Sequence, residues 1–213
     1  MKTLLAIHGY PGVNDLVRQL WPYYEKAGWD IVGVGTIDGF TEFPKGIPYW
    51  EIGRDAYIED ESNLPERFVS TIQNFLKTNY SHLCIIEYDS IFLDRVNFKE
   101  SGITCRKGGG GMPGFKAATF YHTPWFMDRE TAFEIAVEGR ALLLRGEYEG
   151  GSPDFFLGLI LENLGIIPHE SGTFSVNSLD TTNNMGLAKT ALSEGCKFFH
   201  GIKSIQQLAE LLK

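Results

Sequence analysis

Cysteine is scarce in this chain: Cys84, Cys105 and Cys196 are the only thiols in 213 residues, and no two have Cys-x-x-Cys spacing. Such a set excludes a disulfide scaffold, carries no zinc signature and suits a reducing compartment. Long apolar runs are missing too. Leu4-Leu5-Ala6-Ile7 leads straight into His8-Gly9, too short for the apolar core of a secretion signal, and no later stretch reaches bilayer length. A cytoplasmic protein without a membrane span is therefore expected. Positive charge is also in deficit, with 19 Lys and Arg against 27 Asp and Glu, a net charge of −8. That balance argues against a general nucleic-acid or anionic-membrane surface. It leaves room for a local phosphate site, because a metal ion can supply the missing charge. No repeat or low-complexity linker marks a boundary, so residues 1–213 read as one domain.

What is present follows an α/β pattern. A buried strand is expected over 3–7, ending in the turn His8-Gly9-Tyr10-Pro11-Gly12. Asn14 or Asp15 can cap a helix whose apolar face is Leu16, Val17, Leu20 and Tyr24, with Gly28 near its end. Trp29 to Val34 reads as a second strand, and strand–helix–strand predicts a parallel sheet with right-handed crossovers. Residues 35–63 lack a clear period. Pro65 then opens a helix with Phe68, Ile72, Phe75 and Leu76 inward, leading to a short buried strand over Leu83-Cys84-Ile85-Ile86. Later strands are expected over 116–122, 173–176 and 196–199. Helices are expected from Asp128 or Arg129 to Leu144, from Pro153 to Leu164 and from Ser204 to Leu212, the first and last residues of these resting on the Asp, Gly and Ser caps.

The chemistry concentrates at the carboxyl end of the 83–86 strand, where Glu87 and Asp89 stand one residue apart. Alternation along an extended backbone puts i and i+2 on one side. Two hard oxygen ligands can then hold Mg²⁺ or Mn²⁺ against a phosphate. A solvated acidic loop after a core strand is the plainer alternative. Lys107-Gly108-Gly109-Gly110-Gly111-Met112-Pro113-Gly114 lacks the Lys-Ser or Lys-Thr of a phosphate loop and reads as a flexible loop or lid. The opening through His8-Gly9 is similar to the oxyanion loop of α/β-hydrolases. No Gly-x-Ser-x-Gly follows, so an esterase would lack its nucleophile; Ser90 has neither glycine.

Three segments together resemble the GT-A fold of nucleotide-sugar glycosyltransferases: Glu87-Tyr88-Asp89 as the acidic D-x-D-type motif, Ser152-Pro153-Asp154-Phe155-Phe156-Leu157 as the later acid-led helix, and Phe198-Phe199-His200-Gly201-Ile202-Lys203-Ser204 as the C-terminal histidine segment. The resemblance implies a single α/β domain with a mostly parallel twisted sheet flanked by helices. It implies a metal-dependent transferase moving a sugar from a nucleotide-diphosphate donor, a UDP-sugar first, to a glycan or other hydroxyl acceptor with inversion. Asp89 and His200 would bind Mn²⁺ or Mg²⁺, with Glu87 touching the metal through water or holding the donor. His8, Gly9 and Tyr10 would line the nucleoside pocket, Lys203 would meet a phosphate, and Asp154 would be the base. Alternatives are the esterase and a non-catalytic nucleotide- or glycan-binding protein. Trp125, Tyr49, Trp50 and Phe43 are candidate sugar-stacking rings, and His122 a structural or acceptor-lining residue. The loop after the first strand departs from the family pattern in lacking an Arg or Lys, and the first acid is Glu rather than Asp.

Overall fold

A computed structural model describes residues 1–9, 14–35, 43–52, 64–110, 119–148, 152–171 and 185–213. The strands are β1 (Thr3–His8), β2 (Asp30–Gly35), β3 (Tyr49–Glu51), β4 (His82–Glu87), β5 (Ile91–Phe92), β6 (Ile103–Gly110), β7 (Thr119–Asp128), β8 (His169–Glu170) and β9 (Phe198–Phe199). The helices are α1 (Asn14–Lys26), α2 (Leu64–Leu76), α3 (Arg129–Arg145), α4 (Pro153–Leu164), α5 (Met185–Ser193) and α6 (Ile205–Leu211). Seven strands form one sheet in the order β3-β2-β1-β4-β7-β6-β8, and β5 pairs with β9 in a separate ribbon. β7 runs antiparallel to β4 and β6, while the other four pairings in the large sheet are parallel. The expected mostly parallel, helix-flanked sheet is therefore present. No helix among the described residues is long and apolar enough to cross a membrane.

Strand alternation builds two cores. Leu4 and Ala6 of β1 and Leu83 and Ile85 of β4 face α2, α3 and α4, packing with Phe68, Ile72, Phe75, Trp125 and Phe156. Leu5 and Ile7, with Cys84 and Ile86, face α1, α5, α6 and the β5–β9 ribbon. Both faces are covered, which is why β1 and β4 read as continuous apolar runs. Burying each large apolar side chain contributes roughly 1.5–3 kcal/mol. Caps then set the helix limits. Asp128 accepts a hydrogen bond from Thr131 N at 2.8 Å to start α3. Gly165, at φ 65°, ends α4 in the left-handed conformation that glycine adopts without a Cβ clash.

Several expectations change. The glycine run is not all loop: Lys107 to Gly110 belong to β6, and Gly108 lets the Phe120 ring lie against its backbone. Residues 111–114 lie outside the described part, as does the strand expected over 173–176. The strand expected over 116–122 instead runs through Asp128, crossing Pro124 at an irregular register, where the missing N–H removes a ladder bond. The 196–199 strand shrinks to two residues in the small ribbon. β3, β5, β8, α5 and the start of β6 at Ile103 are additions that local pattern did not indicate.

Candidate metal and transfer site

The chain leaves β1 for β2 and β3 on one side, then returns to place β4 on the other. Strand order reverses between β1 and β4, and open α/β sheets bind ligands in the crevice outside the carboxyl ends at such a point. The last paired residues there are His8 and Glu87. Beyond Ile85, paired with Trp125, β7 leaves β4, so Glu87 keeps β1 on one side and has no paired strand on the other.

The small ribbon brings the C-terminal histidine to this crevice. Ile91 pairs with Phe199, and the Ile202 N–H donates to the Asp89 carbonyl at 2.9 Å. Gly201, at φ 82°, makes the turn between them. His200 and Lys203 thus close on Asp89 from either side. His200 Nε2 stands 2.7 Å from Glu87 Oε2 and 3.2 Å from Asp89 Oδ1, and Lys203 Nζ is 2.5 Å from Asp89 Oδ2. Tyr24 of α1 steadies the turn by donating to the Tyr88 carbonyl at 3.0 Å.

Electrostatics follow from this geometry. Burial alone would raise the Asp89 carboxyl, but His200 and Lys203 outweigh it and hold Asp89 below its ordinary range. Burial works against charge on His200 as well, yet the two carboxylates carry its pKa up to about 10. In the metal-free protein two carboxylates are therefore balanced by an imidazolium and an ammonium.

Three ligand atoms from Glu87, Asp89 and His200 lie within 4.8 Å of one another. Asp89 Oδ1 is buried and makes no well-directed hydrogen bond, a cost that a bound cation would remove. Two carboxylates and one imidazole form a donor set that could hold a divalent cation. These residues fit a divalent metal.

A second group faces the first across the crevice. Asp154, in the first turn of α4, has its Oδ2 3.0 Å from His122 Nδ1 on β7. Burial raises the Asp154 carboxyl, opposed by the His122 hydrogen bond, and Glu87 adds to the rise. The His122 and His200 rings are 6.5 Å apart, centre to centre. Arg106, buried on β6, pairs in register with His122, so both side chains stand on one face of the sheet. Its guanidinium is close enough to feel both Asp154 and Glu87.

Glu87, Asp89, His200, Lys203 and Asp154 are therefore neighbours at one end of the sheet, although they come from three separate stretches of chain. The sequence matches no protein-family model and no curated protein. His8 turns elsewhere: it is buried, with Nε2 2.9 Å from Thr71 Oγ1 of α2, and burial followed by the Arg67 charge holds its pKa well below the ordinary value. Its side chain is packed in the interior against α2. The Gly9 N–H donates to the Val34 carbonyl at 2.9 Å, and Tyr10 lies outside the described residues. Trp125 and Phe43 are buried core rings and offer no sugar platform; Tyr49 and Trp50 are half-buried. Ser90 is fully buried, its hydroxyl without a hydrogen-bond partner, which gives the esterase alternative no accessible nucleophile there. Arg106 carried no signal in the sequence, and the contact between His122 and Asp154, both named there, was not legible: strand register sets Arg106 beside His122, and α4 packing on β7 brings Asp154 to it.

Proposed function

We propose that this protein is a metal-dependent glycosyltransferase that moves a sugar from a nucleotide-diphosphate donor, a UDP-sugar first, to a hydroxyl acceptor with inversion. The observation that carries this reading is the convergence of Glu87, Asp89 and His200 on one side of the switch-point crevice, with Asp154 facing them. Its support is geometric and chemical. Glu87, Asp89 and His200 would hold Mn²⁺ or Mg²⁺, which when bound would neutralise charge on the departing diphosphate. Lys203, already at Asp89, adds a positive point charge beside the same oxygens.

On the opposite wall the Asp154–His122 pair withdraws the proton of the acceptor hydroxyl as its oxygen attacks the anomeric carbon. Burial raises Asp154, moving the carboxyl toward the pH at which a base must work. Arg106 keeps positive charge behind this acid-rich wall.

Release of nucleotide diphosphate from a panel of UDP- and GDP-linked sugars, and of CMP from CMP-linked sugars, with Mn²⁺ and simple sugar acceptors, tests the reading. Asp154→Ala should reduce turnover about a hundredfold or more, the usual scale for an acid–base group, and Asp89→Ala should abolish stimulation by Mn²⁺. Transfer that survives both substitutions unchanged removes the assignment.

A further inference from the structure

We infer that the proton of the acceptor hydroxyl goes to His122 Nε2, and that Asp154 is the positioning residue that orients the imidazole. This rests on the transferase reading above and assigns the atom that performs one of its steps. Asp154 Oδ2 is 3.0 Å from His122 Nδ1. An imidazole that donates its Nδ1–H to a carboxylate leaves a lone pair on Nε2. That nitrogen has no hydrogen-bond partner among the described residues, and it is not one of the sealed, unpartnered ring atoms. The His122 side chain is 31% exposed against 22% for Asp154, so the ring is the more open member of the pair.

Its plane is fixed from the side. Phe120 meets the His122 ring edge-to-face at 4.9 Å and packs on Phe155 of α4 at 4.7 Å. Gly108 allows Phe120 to sit there, because a Cβ at that position would collide with the ring. The other histidines are differently employed. His8 is buried against Thr71, and His82 bonds Ser81 Oγ and the Glu100 carbonyl through both ring nitrogens. His169 lies beside Lys99, and His200 is held by two carboxylates. His122 alone joins a carboxylate on one edge to the crevice on the other.

Once formed, the imidazolium is paired with the Asp154 carboxylate. The balanced step is short. The acceptor oxygen forms its bond to the anomeric carbon, and the bond from that carbon to the diphosphate oxygen breaks, its electron pair leaving on the diphosphate. The hydroxyl proton moves to His122 Nε2, which later returns it to solvent.

Two arms test this. Long-range ¹⁵N–¹H NMR of the imidazoles in the metal-free protein, with His122→Gln to assign the signal, reads the tautomer without any substrate. A protonated Nδ1 and an unprotonated Nε2, scrambled in Asp154→Asn, is the expected result; a protonated Nε2 with Asp154 donating overturns the assignment. The second arm measures diphosphate release from UDP-glucose, UDP-N-acetylglucosamine and GDP-mannose with Mn²⁺. His122→Gln, which keeps a donor toward Asp154, should fall about a hundredfold or more while Mn²⁺–UDP binding is unchanged. His122→Gln turnover within tenfold of wild type, with Asp154→Ala inactive, returns the proton to Asp154 and overturns the inference. A wild-type protein that turns over no donor refutes the transferase reading and this role with it, while the NMR arm still decides the tautomer.

Discussion

Binding of a divalent cation at the acid pair should expel a proton from His200. In the metal-free protein Nε2 lies 2.7 Å from Glu87 and 3.2 Å from Asp89; burial opposes the charge, but the carboxylates bring the pKa up to about 10. A metal takes the imidazole only through an unprotonated nitrogen. At pH 7 the ring lies about three units below that pKa (10 − 7), and at about 1.4 kcal/mol per unit, removing the proton costs roughly 4 kcal/mol. Apparent Mn²⁺ affinity should therefore rise about tenfold per pH unit from about pH 7 to 9, with close to one proton released per ion. Asp89, held low by His200 and Lys203 against its burial, is already ionised and adds nothing to this slope. Calorimetric titration in two buffers of different ionisation enthalpy counts the proton directly. His200→Asn should bind more weakly and lose the slope. A wild-type affinity that is flat across this range, with no proton released, refutes the assignment of His200 as an imidazolium that the metal displaces.

Other consequences are structural. The metal-free protein should lose stability in alkali: His200 has a raised folded pKa, so its contribution is complete below about 6.5 and lost as pH rises through about 10. Burial also raises Tyr24 and Cys84, which favours their protonated folded forms and adds to the loss at high pH. Thermal scans from neutral to alkaline pH should show a falling Tm, and a rising one contradicts the sign. Gly35→Ala should cost about 1–3 kcal/mol by overpacking, because its Cβ would lie 2.7 Å from the Gly9 carbonyl and against the Tyr49 hydroxyl; urea unfolding measures it. Arg129→Met should cost about 2–3 kcal/mol in the same assay, since the guanidinium donates to the Leu76, Thr78 and Tyr80 carbonyls at the end of α2. A loss below about 0.5 kcal/mol would show those carbonyls to be satisfied by water instead.

The legible part of this fold was local. The apolar run over 83–86, the Gly165 stop and the Asp128 and Ser204 caps each carry their structural cause within a few residues. β6 and β7 were harder, because glycines and Pro124 argue against strand until neighbouring strands supply the pairing. Ser152 occupies the cap position of α4, yet its side chain makes no cap bond; the Tyr148 hydroxyl instead donates to its carbonyl at 2.6 Å. At the site, the acids and His200 were readable as short motifs. What they touch was not. His200 reaches Asp89 only because Phe198–Phe199 pairs with Ile91–Phe92, and His122 meets Asp154 only after β7 has parted from β4. Contacts set by such distant pairings leave no local periodicity to read. Nor does periodicity distinguish a core ring such as Trp125 from a sugar platform, since both require an aromatic residue.

Calorimetric binding of UDP, GDP and CMP, each with and without Mn²⁺, to wild type and Asp89→Ala tests the proposed site most directly. A metal–diphosphate centre at Asp89 requires one nucleotide, UDP first, to bind at least tenfold more tightly with Mn²⁺, and requires that gain to vanish in Asp89→Ala. No nucleotide binding under any condition, or binding indifferent to both metal and Asp89, contradicts a metal–diphosphate site at this crevice.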